Sequence, residues 1–182
     1  MKPILPLAAL GVVLASLLSG CAHTVALEPA ADAVNPVCAS IVVALDDVID
    51  LPLRETNAQG TAAWGDPTSV LLFCGAPVPD PTSALPCVLA GDVYWLRDGT
   101  DAPTYTFTTY GRDPAIQVVV EQKDGVSPGV VLFELQDAVG LSPETSQCTE
   151  IEDSLGADID TSTPTPTPTP TPSATPSATL TE

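Results

Sequence analysis

Cys21 is the residue whose setting most plainly specifies a reaction. It follows Leu18-Ser19-Gly20 at the end of a run of small and apolar side chains. A thiol placed behind small residues at the end of a signal segment has the pattern of a lipobox, where the sulfur takes a diacylglyceryl group. Lys2 supplies the basic start of such a signal, and Leu5 to Leu18 its apolar stretch. That stretch matches the ~7–15 residues of a cleaved signal and falls short of the ~20 needed to span hydrocarbon. The pattern predicts a lipoprotein signal peptide over residues 1–20, with the mature chain beginning at acylated Cys21. Two or more acyl chains hold a protein on a bilayer where one binds reversibly. The expected location is therefore the extracytoplasmic face of the cell membrane, with the membrane a partner through the lipid anchor. The competing reading is ordinary secretion with an incidental cysteine.

Four further cysteines, Cys38, Cys74, Cys87 and Cys148, form an even set in an exported chain, which predicts two disulfides among three pairings. The expected pairing is Cys74–Cys87, bridging neighbouring strands, with Cys38–Cys148 clipping the ends of the domain together. No Cys-x-x-Cys occurs, and the single histidine, His23, lies two residues from the anchor. Zinc ligation and dithiol redox chemistry thus lack their residues, and no cofactor or metal is expected.

Arg54, Arg97 and Arg112 are the only arginines. A planar guanidinium reads carboxylate or phosphate, so these are candidate ligand-binding residues, set against internal pairing with acids such as Asp98 or Asp113. Trp64, in Trp64-Gly65-Asp66-Pro67, and Trp95 could stack on a sugar or anchor the core. Acids are abundant, but no spacing enforces the carboxylate separation that a glycosidase requires. Neither a Gly-x-Ser-x-Gly elbow nor a well-placed histidine is present for serine hydrolysis. The acids from Glu150 to Asp160 lack the ordered ligands and central glycine of a calcium loop.

The formal net charge is −18, and loss of Lys2 with the signal makes the mature chain more acidic still. Such a surface repels phosphate backbones and excludes nucleic acid as a partner. Residues 21–34 read as an N-terminal tether and 35–153 as a single domain. From 154 to 182 the chain changes character: Thr and Pro alternate from Thr163 to Thr171. This composition cannot bury apolar area and favours extended polyproline. Thr163, Thr165, Thr167, Thr169 and Thr171 are candidates for O-glycosylation.

The elements that must position these residues follow from caps and periodicity. Asn35-Pro36 and Ser127-Pro128 each read as helix cap and first turn. Val37, Ile41, Leu45 and Val48 fall on one helical face of the first helix. Val131, Leu135, Ala138 and Val139 do so in the second, which Gly140 ends. Val70–Cys74, Cys87–Ala90 and Val93–Leu96 are short apolar runs. Thr104–Tyr110 alternates, turns at Gly111-Arg112-Asp113-Pro114 and returns as Ala115–Glu121, an antiparallel hairpin. The expectation is an α+β fold: a small, mainly antiparallel sheet of four or five short strands with two helices packed on one face.

The blocks Leu27 to Cys38, Ala63-Trp64-Gly65-Asp66-Pro67, Leu71-Leu72-Phe73-Cys74-Gly75, Pro86-Cys87-Val88 and Thr108 to Ala115 together resemble the actinobacterial envelope family DUF3515. The likeness spans roughly residues 20–150 and leaves the Thr/Pro tail outside it. It implies a small exported or lipid-anchored protein and brings no activity, cofactor or catalytic residue. The reading that results is a non-catalytic binding or accessory module for an envelope protein or cell-wall component. The alternative is a carbohydrate hydrolase using paired carboxylates.

Overall fold

The computed structural model describes residues 23–81, 83–123 and 125–150. Helix α1 spans Pro36–Val43; the strands are β1 Leu53–Arg54, β2 Thr61–Trp64, β3 Val70–Ala76, β4 Cys87–Ala90, β5 Val93–Asp98, β6 Thr104–Thr109 and β7 Ala115–Glu121. Helices α2, Pro128–Glu134, and α3, Gln136–Val139, follow. All seven strands form one antiparallel sheet in the order β1-β2-β3-β7-β6-β5-β4. The class is α+β as the sequence implies, but the sheet has seven strands rather than four or five, and the described residues hold three short helices.

The order follows from two meanders. Strands β1 to β3 run side by side, the chain crosses to the far edge, and β4 to β7 return until β7 pairs with β3. Alternation decides which face is dry. Val70, Leu72 and Cys74 of β3, Ile116, Val118 and Val120 of β7, and Trp95 and Phe107 of β5 and β6 join one buried cluster with helical Ile41, Val131, Leu132 and Val139. The helices cover that face. On the opposite face Leu71, Phe73, Gln117 and Val119 are only half-buried.

Both proline-headed helices start where expected. Asn35 caps the first, its side-chain oxygen accepting from the Val37 amide at 3.1 Å, whereas Ser127 makes no side-chain cap bond. Their ends differ from the sequence reading. The first helix stops at Val43, yet Leu45 and Val48 remain buried because the chain folds back from a loop in which Ile49 and Asp50 take φ of 49° and 57°. That conformation disfavours a β-branched residue, and two carboxylates stitch it in place. Glu134 accepts from the Ile49 amide at 2.6 Å and Asp47 from the Leu53 amide at 2.7 Å. The second helix is divided at Leu135, which ends α2 and opens α3.

Residues 23–34, expected as a tether, lie against the domain. Val25 bridges to Thr56 in parallel, with its amide on the Glu55 carbonyl at 2.9 Å and its carbonyl accepting from Asn57 at 3.2 Å. Further along, the Asp32 amide donates to the Gly75 carbonyl at 3.0 Å. The approach is close enough that a Cβ on Gly75 would sit 2.3 Å from the Asp32 carbonyl carbon, and the glycine has φ 88°. At the other end residues 141–148 form a strap over the β6–β7 turn. The Thr145 amide donates to the Gly111 carbonyl at 2.6 Å, and the buried Ser142 hydroxyl donates to the Pro114 carbonyl at 2.7 Å.

The disulfides are Cys38–Cys74 and Cys87–Cys148, which corrects the expected Cys74–Cys87 and Cys38–Cys148. The sheet order explains the difference. Cys74 on β3 and Cys87 on β4 are separated by β7, β6 and β5, roughly 19 Å at the usual strand spacing, far beyond the ~7 Å that a disulfide tolerates between Cα atoms. Cys38–Cys74 instead staples α1 to the sheet inside the core, and Cys87–Cys148 ties the strap to the β4 edge.

Candidate functional site

Two of the three arginines direct their donors inward, each onto a terminal segment. Arg54 donates through Nη2 to the His23 carbonyl at 2.7 Å and through Nη1 to the Gly65 carbonyl at 3.1 Å. An ion pair with Asp66 at 3.4 Å completes its contacts. It thereby clamps the N-terminal arm to the β2–β3 turn. Arg112 is 6% exposed, and its Nη1 reaches the carbonyls of Ser142 at 2.5 Å and Gly140 at 3.4 Å. Its Nη2 lies 3.4 Å from the Asp92 carbonyl and 3.6 Å from the Glu144 carboxylate. Guanidinium is suited to this because its fixed fork serves several oxygens at once and cations favour a helix C-terminus. The acids that Arg54 and Arg112 pair with are Asp66 and Glu144 rather than Asp98 or Asp113. Arg97 lies on β5 opposite Phe107 and is partly buried.

Trp64 closes β2. It is fully buried, with its indole N–H donating to the Asp46 carbonyl at 2.8 Å, so it has no face to offer a sugar. Trp95 is equally buried, and its Nε1 has no acceptor among the described residues. Cys21 and the five tail threonines, Thr163, Thr165, Thr167, Thr169 and Thr171, lie outside the described residues.

Several hollows indent the described surface, three of them beside the Ile49 loop, the N-terminal arm and the β4 edge. Asp47, Ile49, Asp50 and Glu134 border one of about 670 Å³. Its Asp47 and Glu134 carboxylates are the ones that hold the loop amides, which gives them a structural role in place of a free acid pair. Among the described residues no group of three or more His, Cys, Asp or Glu is disposed to hold a metal ion. A second hollow of about 290 Å³, bordered by Val25, Leu27, Leu71 and Val119, lies where the arm crosses the outer sheet face.

The third, of about 350 Å³, opens beside the β4 edge between Leu85, Pro86, Leu96, Tyr110, Cys148 and Glu150. Register sets which side chains stand beside it on the outer sheet face. Leu89 faces Tyr94 across β4 and β5, and the Tyr110 amide donates to the Tyr94 carbonyl at 2.8 Å. Leu89, Tyr94 and Tyr110 therefore stand in one row on the outer face, with Leu96 in the next. Leu85 and Leu89 are 42% and 40% exposed. The sequence gives no period that marks this surface, since the row is assembled across three strands by the sheet order.

No helix among the described residues is long and apolar enough to cross a membrane. No curated protein and no solved structure matches the chain. One family model does, described as Protein of unknown function (DUF3515), and it matches residues 4–148. That match takes in both disulfides, both arginine clamps and every strand of the sheet, so the chain belongs to the DUF3515 family.

Proposed function

We propose that this chain is an exported lipoprotein, anchored by acylated Cys21 to the outer face of an actinobacterial cell membrane, that acts as a non-catalytic docking or accessory module for an envelope protein or wall component. The observation that carries the reading is where the two ends leave the domain. His23 is held by Arg54 of β1 at one edge of the sheet, and Cys148 is bonded to Cys87 of β4 at the other edge. Six strand steps separate these edges, on the order of 25–30 Å. An anchor attached at Cys21, two residues before His23, then belongs to the β1 side of the domain, while the described chain ends near the β4 edge, the side opposite the anchor. Two disulfides, one inside the core, suit an oxidising compartment. Confinement at the membrane raises the local concentration of a weakly bound partner.

Fractionation of cells expressing the wild type and Cys21→Ala tests the anchor. The wild type belongs in the membrane pellet through a high-salt wash, and the variant in the soluble extracytoplasmic fraction. A variant cleaved after Gly20 and retained by the membrane as firmly as the wild type would refute it.

A further inference from the structure

The two edges of the sheet are treated differently. β1 is two residues long and is flanked by the N-terminal arm through the Val25–Thr56 bridge. β4 reads Cys-Val-Leu-Ala, with no charge, no proline and no bulge, the very devices that keep an edge from pairing. Its hydrogen bonding is fixed by the two-residue turn at Gly91-Asp92. Ala90–Val93 and Val88–Trp95 are the bonded pairs, as the Arg97 amide on the Pro86 carbonyl at 2.9 Å continues in step. The amides and carbonyls of Cys87 and Leu89 therefore point away from β5. The outer side of this edge carries exposed Leu85 and Leu89 beside the Tyr94–Tyr110 row. On the other side α2, which packs against β4, exposes Val130 and Phe133.

We propose that β4 is a docking edge that takes up a basic, extended polypeptide segment of another protein as an eighth strand, with apolar side chains on Leu85 and Leu89 and cations toward the acids around it. This builds on the reading of the chain as a partner-binding module and names the surface and the partner's chemistry. Charge selects the occupant. Asp92 is the only charged residue from Cys87 to Asp92 and Glu150 borders the hollow. A second copy of a chain with net charge −18 repels itself at such an edge. The chain's own tail is acidic and then proline-rich, and alternate prolines lack the amides that an added strand must donate. A cationic segment with free amides meets both demands.

The test uses the full exported chain in solution and three capped nonapeptides. One alternates Lys and Val, one alternates Glu and Val, and one is the Lys/Val peptide N-methylated on the amides that would pair. Saturation with the Lys/Val peptide is expected to slow exchange of the Cys87 and Leu89 amides at least tenfold. Leu89→Lys, and separately Leu85→Lys, are expected to weaken its binding tenfold or more while leaving the circular dichroism unchanged. The Glu/Val and N-methylated peptides are expected to bind at least tenfold more weakly. Equal binding by the N-methylated peptide would reduce the attraction to bulk charge and overturn the proposal. So would unchanged binding to both lysine variants, or equal binding of the Glu/Val peptide. A concentration-dependent dimer that excludes the peptide would assign the edge to a second copy. Binding that appears only after removal of residues 151–182 would assign it to the tail. Because the titration needs no membrane, its failure is separable from failure of the anchor at Cys21.

Discussion

The guanidinium of Arg112 lies 2.5 Å from the Ser142 carbonyl oxygen, and this contact locks the strap that follows α3 onto the β6–β7 turn from which Arg112 itself projects. Removing the side chain leaves the buried Ser142 carbonyl, and the more exposed Gly140 carbonyl, without this donor. Hydrogen bonds to charged groups contribute about 1.5–3 kcal/mol each, so Arg112→Ala is expected to lower stability by about 3 kcal/mol in urea denaturation. Arg112→Lys restores the charge but not the fork and is expected to recover only part of the loss. Full stability in Arg112→Ala would show that the strap holds without its clamp.

Arg54 does the corresponding task for the arm. Its ion pair with Asp66 involves a carboxylate 83% exposed and contributes little, which leaves the bonds to the His23 and Gly65 carbonyls as its main effect. Arg54→Gln is expected to speed exchange of the Val25 amide, bonded to Glu55 at 2.9 Å, well before the sheet amides respond. Asp66→Asn is expected to leave that amide unchanged. Equal acceleration in both would mean that the ion pair, not the carbonyl contacts, holds the arm.

Peptide mapping without reductant should recover Cys38 joined to Cys74 and Cys87 joined to Cys148. The bonds close segments of 36 and 61 residues, for which chain-entropy accounting gives a stabilisation of about 4 kcal/mol each. Cys38 and Cys74 are wholly buried, whereas Cys148 borders an open hollow. Mild reductant is therefore expected to open Cys87–Cys148 first. Simultaneous loss of both bonds would contradict the difference in burial.

Much of this architecture was legible wherever a local signal existed. The hairpin of β6 and β7 follows from alternation in Thr104–Tyr110 and Ala115–Glu121, and both proline-headed helix starts from their cap residues. What escaped the sequence was set by distant partners. Thr61–Trp64 is buried on both faces, so β2 shows no alternation to read. Leu45 and Val48 keep a helical period but are buried from a loop. The disulfide pairing depended on three strands inserting between β3 and β4, and the arm's docking on Gly75 permitting a backbone approach that any side chain would block. The arginines stand out in the sequence as scarce cations, yet their clamp role depends on carbonyls that the fold brings to them from distant segments.

Asp98 offers a titration handle on the β5–β6 connection. Its side chain accepts from the Thr100 hydroxyl at 2.6 Å and the Thr100 amide at 2.9 Å. The hydroxyl first, and then the amide, hold its pKa below the ordinary 3.8. A carboxylate with a depressed folded pKa contributes stability that is fully present above 3.8 and lost as pH falls through the lower folded value. In a carboxyl-carbon NMR titration Asp98 should have its midpoint below 3.8, and Thr100→Ala should move it upward. A midpoint unmoved by that substitution would leave the turn without its proposed hydroxyl bond.

The two tryptophans form a matched pair for separating polar from apolar contributions. Both are fully buried on the same sheet face, so replacing either by phenylalanine removes the same atoms from the same core. Their indole nitrogens differ. Trp64 donates to the Asp46 carbonyl at 2.8 Å, and its loss strands an acceptor. Trp95 Nε1 has no acceptor among the described residues, so its loss removes a desolvated donor that the fold already carried unpaired. Leaving one buried polar group unsatisfied costs about 1–3 kcal/mol. Asp46 is an exposed residue, so water can replace part of the lost bond and the lower end of that range applies. Trp64→Phe is therefore expected to be more destabilising than Trp95→Phe by at least about 1 kcal/mol, measured as the difference of urea unfolding free energies at equal m-values. If Trp95→Phe proved the costlier, its indole N–H must have a partner, and the core beneath β5 would have to be repacked around it.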